Sequence, residues 1–167
     1  METALAENKA LRLPLALVLF GMVAIIGSAL AFEYMGYAPC QLCLEQRVPY
    51  YWGMPFVAAG LLAALCKLPS CAARGALAIG FVCLIATLVL GAYHSGVEWG
   101  VFAAPESCGA GLSATTSDAG SLLESLATAT PPSCDEAAGR FLGISFANAN
   151  VLAAGALAFY AFIALRQ

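Results

Sequence analysis

The stretch GALAIGFVCLIATLVLGAY, Gly75 to Tyr93, carries no charged side chain from end to end. At ~1.5 Å per helical residue such a run reaches roughly 28 Å, close to the ~30 Å hydrocarbon core of a bilayer. Three further runs have the same character: Pro14 to Phe32, Val48 to Cys66 and Ile144 to Ala164. None shows the apolar-polar alternation of barrel strands, and backbone groups in lipid must bond within their own segment, so all four read as helices. The composition agrees, with 62% hydrophobic and only 10% charged residues over 167 positions, which no water-soluble globule has. The expected fold is an all-α integral membrane protein: one domain over residues 1–167, a four-transmembrane-helix bundle, with outer loops at 33–47 and 94–143.

Orientation follows from the basic residues, which concentrate on the cytoplasmic side of short loops. Lys9, Arg12, Lys67, Arg74 and Arg166 fall on one side, whereas Arg47 and Arg140 fall on the other among Glu33, Glu45, Glu98, Glu106, Asp118, Glu124, Asp135 and Glu136. Both termini are therefore expected in the cytoplasm. Lys9 and Arg12 before an apolar run ending in Ala29-Leu30-Ala31 also resemble a secretory signal with a cleavage site. The run is longer than the usual ~7–15-residue apolar core of such signals, which favours a retained first helix.

This topology sorts the seven cysteines. Cys66, Cys71 and Cys83 lie on the cytoplasmic side or within the third run, where thiols stay reduced and a small apolar role suffices. Cys40, Cys43, Cys108 and Cys134 face outside. Three pairings are possible, and the two-residue spacing makes Cys40 with Cys43 and Cys108 with Cys134 the natural one. Four thiolates also suit zinc, but zinc ribbons pair two C-x-x-C knuckles, whereas Cys108 and Cys134 stand far apart in Ser-, Thr-, Ala- and Gly-rich chain, so no metal is expected. Purely structural disulfides are the other rival. A C-x-x-C bridge closes too small a loop to stabilise much through chain entropy, and its exposed geometry suits a labile, electron-carrying bond. A cysteine entering a helix at its N-terminus also gains thiolate character from the helix dipole.

His94 is the only histidine. A lone histidine at a helix end is often an interfacial side chain and nothing more. Antiparallel second and third helices would nevertheless bring it level with Cys43 and Arg47, so that three polar groups converge on one pocket. Arg47 at a membrane edge would ordinarily snorkel to headgroups; beside Cys43 its fixed charge can instead favour a thiolate and a developing anion. In the long loop, Ser121-Leu122-Leu123-Glu124 matches a capping box, with Leu122, Leu123 and Leu126 on one face of a short surface helix. Pro131-Pro132 stiffens the approach to Cys134, while Gly and Ser around Cys108 leave that sulfur presentable to a partner.

Taken together, Pro39-Cys40-Gln41-Leu42-Cys43-Leu44-Glu45-Gln46-Arg47, Ala92-Tyr93-His94-Ser95-Gly96-Val97-Glu98-Trp99, Cys134-Asp135-Glu136 and Phe141-Leu142-Gly143-Ile144-Ser145 resemble the bacterial disulfide bond formation protein B (DsbB) family over nearly the whole chain. The resemblance implies a quinone-dependent thiol oxidase of the bacterial inner membrane, using ubiquinone or menaquinone. Its partner would be a DsbA-like periplasmic thioredoxin-fold protein, within the system known to keep the periplasm oxidising. Cys108 matches the sulfur attacked by the partner and Cys134 its pair. Electrons would pass to Cys40 and Cys43, with Cys43 matching the quinone-proximal cysteine and Arg47 and His94 the positions beside the ring. Ala149 stands where many relatives carry tryptophan, which bears on packing of the fourth helix and not on the thiols. Two other classes compete. A vitamin K epoxide reductase type of enzyme would carry its C-x-x-C after the loop cysteines, not before them. A non-enzymatic channel or assembly subunit would keep structural disulfides and need no quinone.

Overall fold

The computed structural model describes residues 2–105, 108, 133–135, 137, 139–141 and 143–167. Four long helices dominate: α1 (Glu2–Tyr34), α2 (Gln41–Leu65), α3 (Ser70–Glu98) and α4 (Phe146–Arg166), each long and apolar enough to cross a membrane. The chain is a four-span, all-α membrane protein. Between α3 and α4 the described residues add only a minimal hairpin, β1 (Arg140–Phe141) against β2 (Ile144–Ser145), which Gly143 turns with a positive φ of 83°.

The helices outrun the apolar segments that announce them. Hydropathy marks the part of a helix that meets lipid, whereas capping decides where the helix ends. Thus α2 begins at Gln41, well before Val48, because the Cys40 side chain accepts a hydrogen bond from the Cys43 backbone N–H at 3.3 Å. Likewise α3 continues past Tyr93 to Glu98. Cys43, Arg47 and His94, expected on outer loops, therefore stand on rigid helices. α4 starts later than Ile144: Ile144 and Ser145 pair in the hairpin, and Ser145 Oγ caps the helix by accepting from Asn148 N–H at 3.2 Å. α1 runs unbroken through Ala29-Leu30-Ala31. The short helix expected at 121–126, with Pro131-Pro132, lies outside the described residues.

Packing places α2 against α3 most extensively, α3 against α4 next, and leaves α1 and α4 in slight contact. The core is built from Leu15, Val18 and Met22 of α1, Tyr50 and Val57 of α2, and Leu77 and Leu84 of α3. Phe20, Val82, Val89, Leu152 and Phe159 point outward, as bilayer-facing side chains must. Glycine permits the close approach of α2 and α3: a Cβ on Gly60 would collide with that of Ala76, and one on Gly80 would lie 2.5 Å from Val57. α2 then turns back into α3 through Lys67, whose φ of 58° lets Leu68 N–H reach Ala63 O at 2.9 Å.

Candidate active site

The site is built at the start of α2. Cys40 is the N-cap residue, buried, with Cys43 one turn on and the two sulfurs 2.7 Å apart as a dithiol. On its other side Cys40 Sγ meets His94 Nε2 at 3.6 Å. The Cys40 thiol is held below its ordinary value, first by the hydrogen bond from Cys43 and then by His94 and the Cys43 backbone N–H, against the opposing cost of burial. A sulfur at a helix N-terminus also sits at the positive end of the dipole.

His94 is itself buried and belongs to a polar network inside the bundle. Its Nδ1 lies 2.7 Å from Gln46 Nε2, and its Nε2 lies 3.9 Å from Glu98 Oε1. Gln46 Nε2 also donates to Leu42 O at 3.2 Å. Asn150 of α4 donates to Gln46 Oε1 at 2.8 Å and to Thr87 Oγ1 of α3 at 3.2 Å, while Tyr50 O–H donates to Asn150 Oδ1 at 2.8 Å. Thr87 completes the circuit by donating to Gln46 O at 2.9 Å. Three helices are thus joined by side chains that would each be costly to bury alone.

Cys108 and Cys134 are joined as a disulfide, and they pack with Cys40, Leu42 and Val97 in a single buried cluster against which Cys43 and Tyr93 lean. All four of these cysteines therefore meet at one buried cluster. The four-thiolate zinc arrangement is not assembled, since two of the sulfurs are bonded to each other. One ligand atom from each of Cys40, Cys43 and His94 does lie within 4.8 Å of the others, which is metal-ligand spacing.

Cys43 faces the opposite way. With Gln46, Arg47 and Tyr50 it lines a largely apolar cavity of about 250 Å³ between α1 and α4, at the weakly packed seam. Gln46, Arg47 and Tyr50 follow Cys43 at three, four and seven residues, one stripe of the helix. Phe32, Tyr37 and Phe146 stand together on the cavity wall, with ring centroids 4.7–5.9 Å apart. Arg47 is mostly buried and is held by Glu33 of α1 at 2.6 Å. A planar aromatic group fits this lining: apolar walls, aromatic faces, one fixed cation and one thiol.

The structure thus brings Cys40, Cys43, Cys108 and Cys134 together and sets Arg47 beside Cys43. His94 is level with them, but it reaches Cys40 and does not line the cavity. Sequence reasoning assigned no role to Gln46, Tyr50, Thr87, Asn150 or Glu98. The signal that marks several of them is polarity inside an apolar span: Thr87 and Asn150 interrupt otherwise apolar runs. Ala149, the departure noted above, lies on the cavity wall.

The family model for disulfide bond formation protein DsbB matches residues 11–164. Searches of curated proteins and of solved structures find no match.

Proposed function

This chain belongs to the DsbB family, and from that premise we propose that it is a thiol:quinone oxidoreductase of the bacterial inner membrane, with both termini in the cytoplasm. It would reoxidise a DsbA-like thioredoxin-fold dithiol in the periplasm and so support disulfide formation. The observation that carries this reading is the two-sided placement of the inner pair: Cys40 packs against the Cys108–Cys134 disulfide, while Cys43 and Arg47 face the lipid-side cavity.

In the proposed sequence a partner thiolate attacks Cys108. The Cys108–Cys134 bond breaks, a mixed disulfide forms, and Cys134 leaves as a thiolate. The partner's second thiolate then attacks its own sulfur in that mixed disulfide, so the partner is oxidised and the Cys108, Cys134 pair holds two electrons. Exchange with the Cys40–Cys43 disulfide passes those electrons inward and restores the outer disulfide. Burial of Cys40 in one cluster with the outer pair supports this route. A membrane quinone, ubiquinone or menaquinone, would supply the two-electron acceptor. Cys43, Arg47 and the aromatic trio would hold it: Arg47, clamped by Glu33, keeps a permanent positive charge at the cavity wall, where low dielectric strengthens it. The apolar lining excludes water from the thiols.

The test is to add the reduced partner to purified protein with a short-chain quinone and to follow quinone absorbance against partner thiols. Loss of one quinone per partner disulfide formed is expected. Partner thiols that stay reduced, or that oxidise without quinone loss, would leave the chain a structural subunit with stabilising disulfides. A partner variant lacking its second cysteine sharpens the order of events: its one thiolate displaces Cys134 from Cys108, and no second partner thiol then breaks the mixed disulfide. It should accumulate a dithiothreitol-sensitive complex through Cys108, and a complex through Cys40 instead would refute the proposed route.

A further inference from the structure

We propose that His94 is a neutral hydrogen-bond donor to the Cys40 sulfur, protonated on Nε2, and that Gln46 is the positioning residue that enforces this state and closes the Cys40, Cys43, His94 cluster to metal ions. The cluster invites the opposite conclusion, because two thiolates and an imidazole suit a soft cation such as zinc or cadmium. To bind a metal through Nε2, however, the imidazole must carry its proton on Nδ1. Nδ1 faces Gln46 Nε2 at 2.7 Å.

The sense of that amide is fixed by two backbone carbonyls, which can only accept. Leu42 O takes a hydrogen from Gln46 Nε2 at 3.2 Å, so the nitrogen end of Gln46 points toward Leu42 and His94. Gln46 O takes the Thr87 hydroxyl hydrogen at 2.9 Å, so Thr87 Oγ1 is left to accept from Asn150 Nδ2 at 3.2 Å. The other Asn150 N–H then meets Gln46 Oε1, and Asn150 Oδ1 accepts from Tyr50. Turning either amide over would set donor against donor or acceptor against acceptor inside the bundle. Gln46 therefore donates to His94, Nδ1 accepts, and the ring hydrogen sits on Nε2. Cys40 Sγ at 3.6 Å is its sulfur acceptor, while Glu98 Oε1 at 3.9 Å is beyond hydrogen-bond length.

An imidazolium is excluded by the same clash, so His94 stabilises a Cys40 thiolate by donation and does not remove its proton. Among the described residues, the charged and titratable groups around this contact are Cys43 and Arg47 on α2, Tyr93 and Glu98 on α3 and Asp135, next to Cys134 in the chain. Glu33 of α1 bears on it through Arg47, and Tyr50 through Asn150. Arg47 acts on the neighbouring Cys43, and Glu98 is the group that pulls toward imidazolium. The consequence for Cys40 rests on the redox reading above; the tautomer does not.

Because the chain has one histidine, protein labelled with ¹⁵N at histidine gives one pair of ring nitrogen resonances. Reduced, quinone-free protein at neutral pH should show the neutral Nε2–H pattern. A neutral Nδ1–H or an imidazolium pattern in the wild type overturns the proposal without recourse to any variant. Gln46→Glu supplies a carboxylate that accepts from Nδ1–H, the arrangement that supports metal-bound histidines. It should lose the wild-type pattern and bind Cd(II), followed by thiolate charge-transfer absorbance, about tenfold or more tightly than wild type. Tight one-to-one cadmium binding by the wild type that moves the His94 nitrogens, or no gain in Gln46→Glu, overturns the gating role. Nitrogen resonances as expected in a protein that does not reduce quinone would refute the redox reading and leave the tautomer standing.

Discussion

The two ends of the bundle put polar side chains to different work. At the end where the chain begins, side chains bond mainly to backbone: Asn8 donates to Leu68 O at 2.7 Å, Arg12 to Ala64 O at 3.1 Å, and Arg74 to Leu165 O at 3.2 Å. Those carbonyls close helix ends that would otherwise lack partners, so the side chains act as latches. At the Cys40 end they bond mainly to one another, through His94, Gln46, Asn150, Tyr50 and Thr87. The cysteines divide in the same way. Cys66 and Cys71 are exposed, whereas Cys40, Cys108 and Cys134 are buried together. Chemistry follows from a side chain's neighbours, and cysteine content by itself does not supply it.

The largest effect expected from this contrast is on turnover. Cys43→Ser should abolish quinone reduction by the reduced partner, because it removes the thiol on the cavity wall, while the triple variant Cys66→Ser, Cys71→Ser, Cys83→Ser should stay near the wild-type rate. A dead triple variant would erase the distinction between the ends.

Arg47→Ala comes next. A charge-assisted hydrogen bond is worth about 1.5–3 kcal/mol, so kcat/KM for quinone should fall by about 10- to 100-fold. Single-turnover oxidation of the partner by the outer disulfide should be unchanged, since Arg47 faces the cavity and not Cys108. Unaltered quinone kinetics would remove Arg47 from the site.

The pH dependence of alkylation offers a subtler contrast. With its thiol held below the ordinary range, Cys40 stays charged to lower pH than an ordinary thiol. Site-resolved mass spectrometry of the reduced protein should show Cys40 modification declining only at a pH well below that at which an ordinary thiol slows. An ordinary thiol near ~8.5 would already have slowed about a hundredfold at pH 6.5. A decline beginning near pH 8 would mean that the cap and His94 do not act on the sulfur.

The smallest effect belongs to a latch. Arg74 pairs with Glu7 at 2.9 Å, but both side chains are more than a third exposed, so solvent screens the pair. Arg74→Met should cost no more than about 1 kcal/mol, visible as a few degrees in thermal stability, with turnover intact. Impaired turnover would couple the far end to the site.

Much of this molecule is legible in its sequence because lipid imposes a single rule. Runs such as Gly75 to Tyr93 must be helices, and four of them give a four-span protein before any contact is known. The cysteine spacings and the residues around them point to the DsbB family, which the family match to residues 11–164 supports. Helix ends were harder to see, because α2 starts at a sulfur cap that hydropathy cannot register.

Determined by the sequence alone are the class of fold and the family, since these depend on composition and on local spacing. Only the tertiary structure decided that Cys40 turns toward the outer disulfide while Cys43 turns toward the cavity, and that His94 meets the first and not the second. It also chose Gln46, Thr87 and Asn150, residues 41 to 104 positions apart, as the frame around that histidine. Direction and hydrogen-bond sense arise from how three helices pack, and no local pattern along one chain encodes which face of a helix will meet which neighbour.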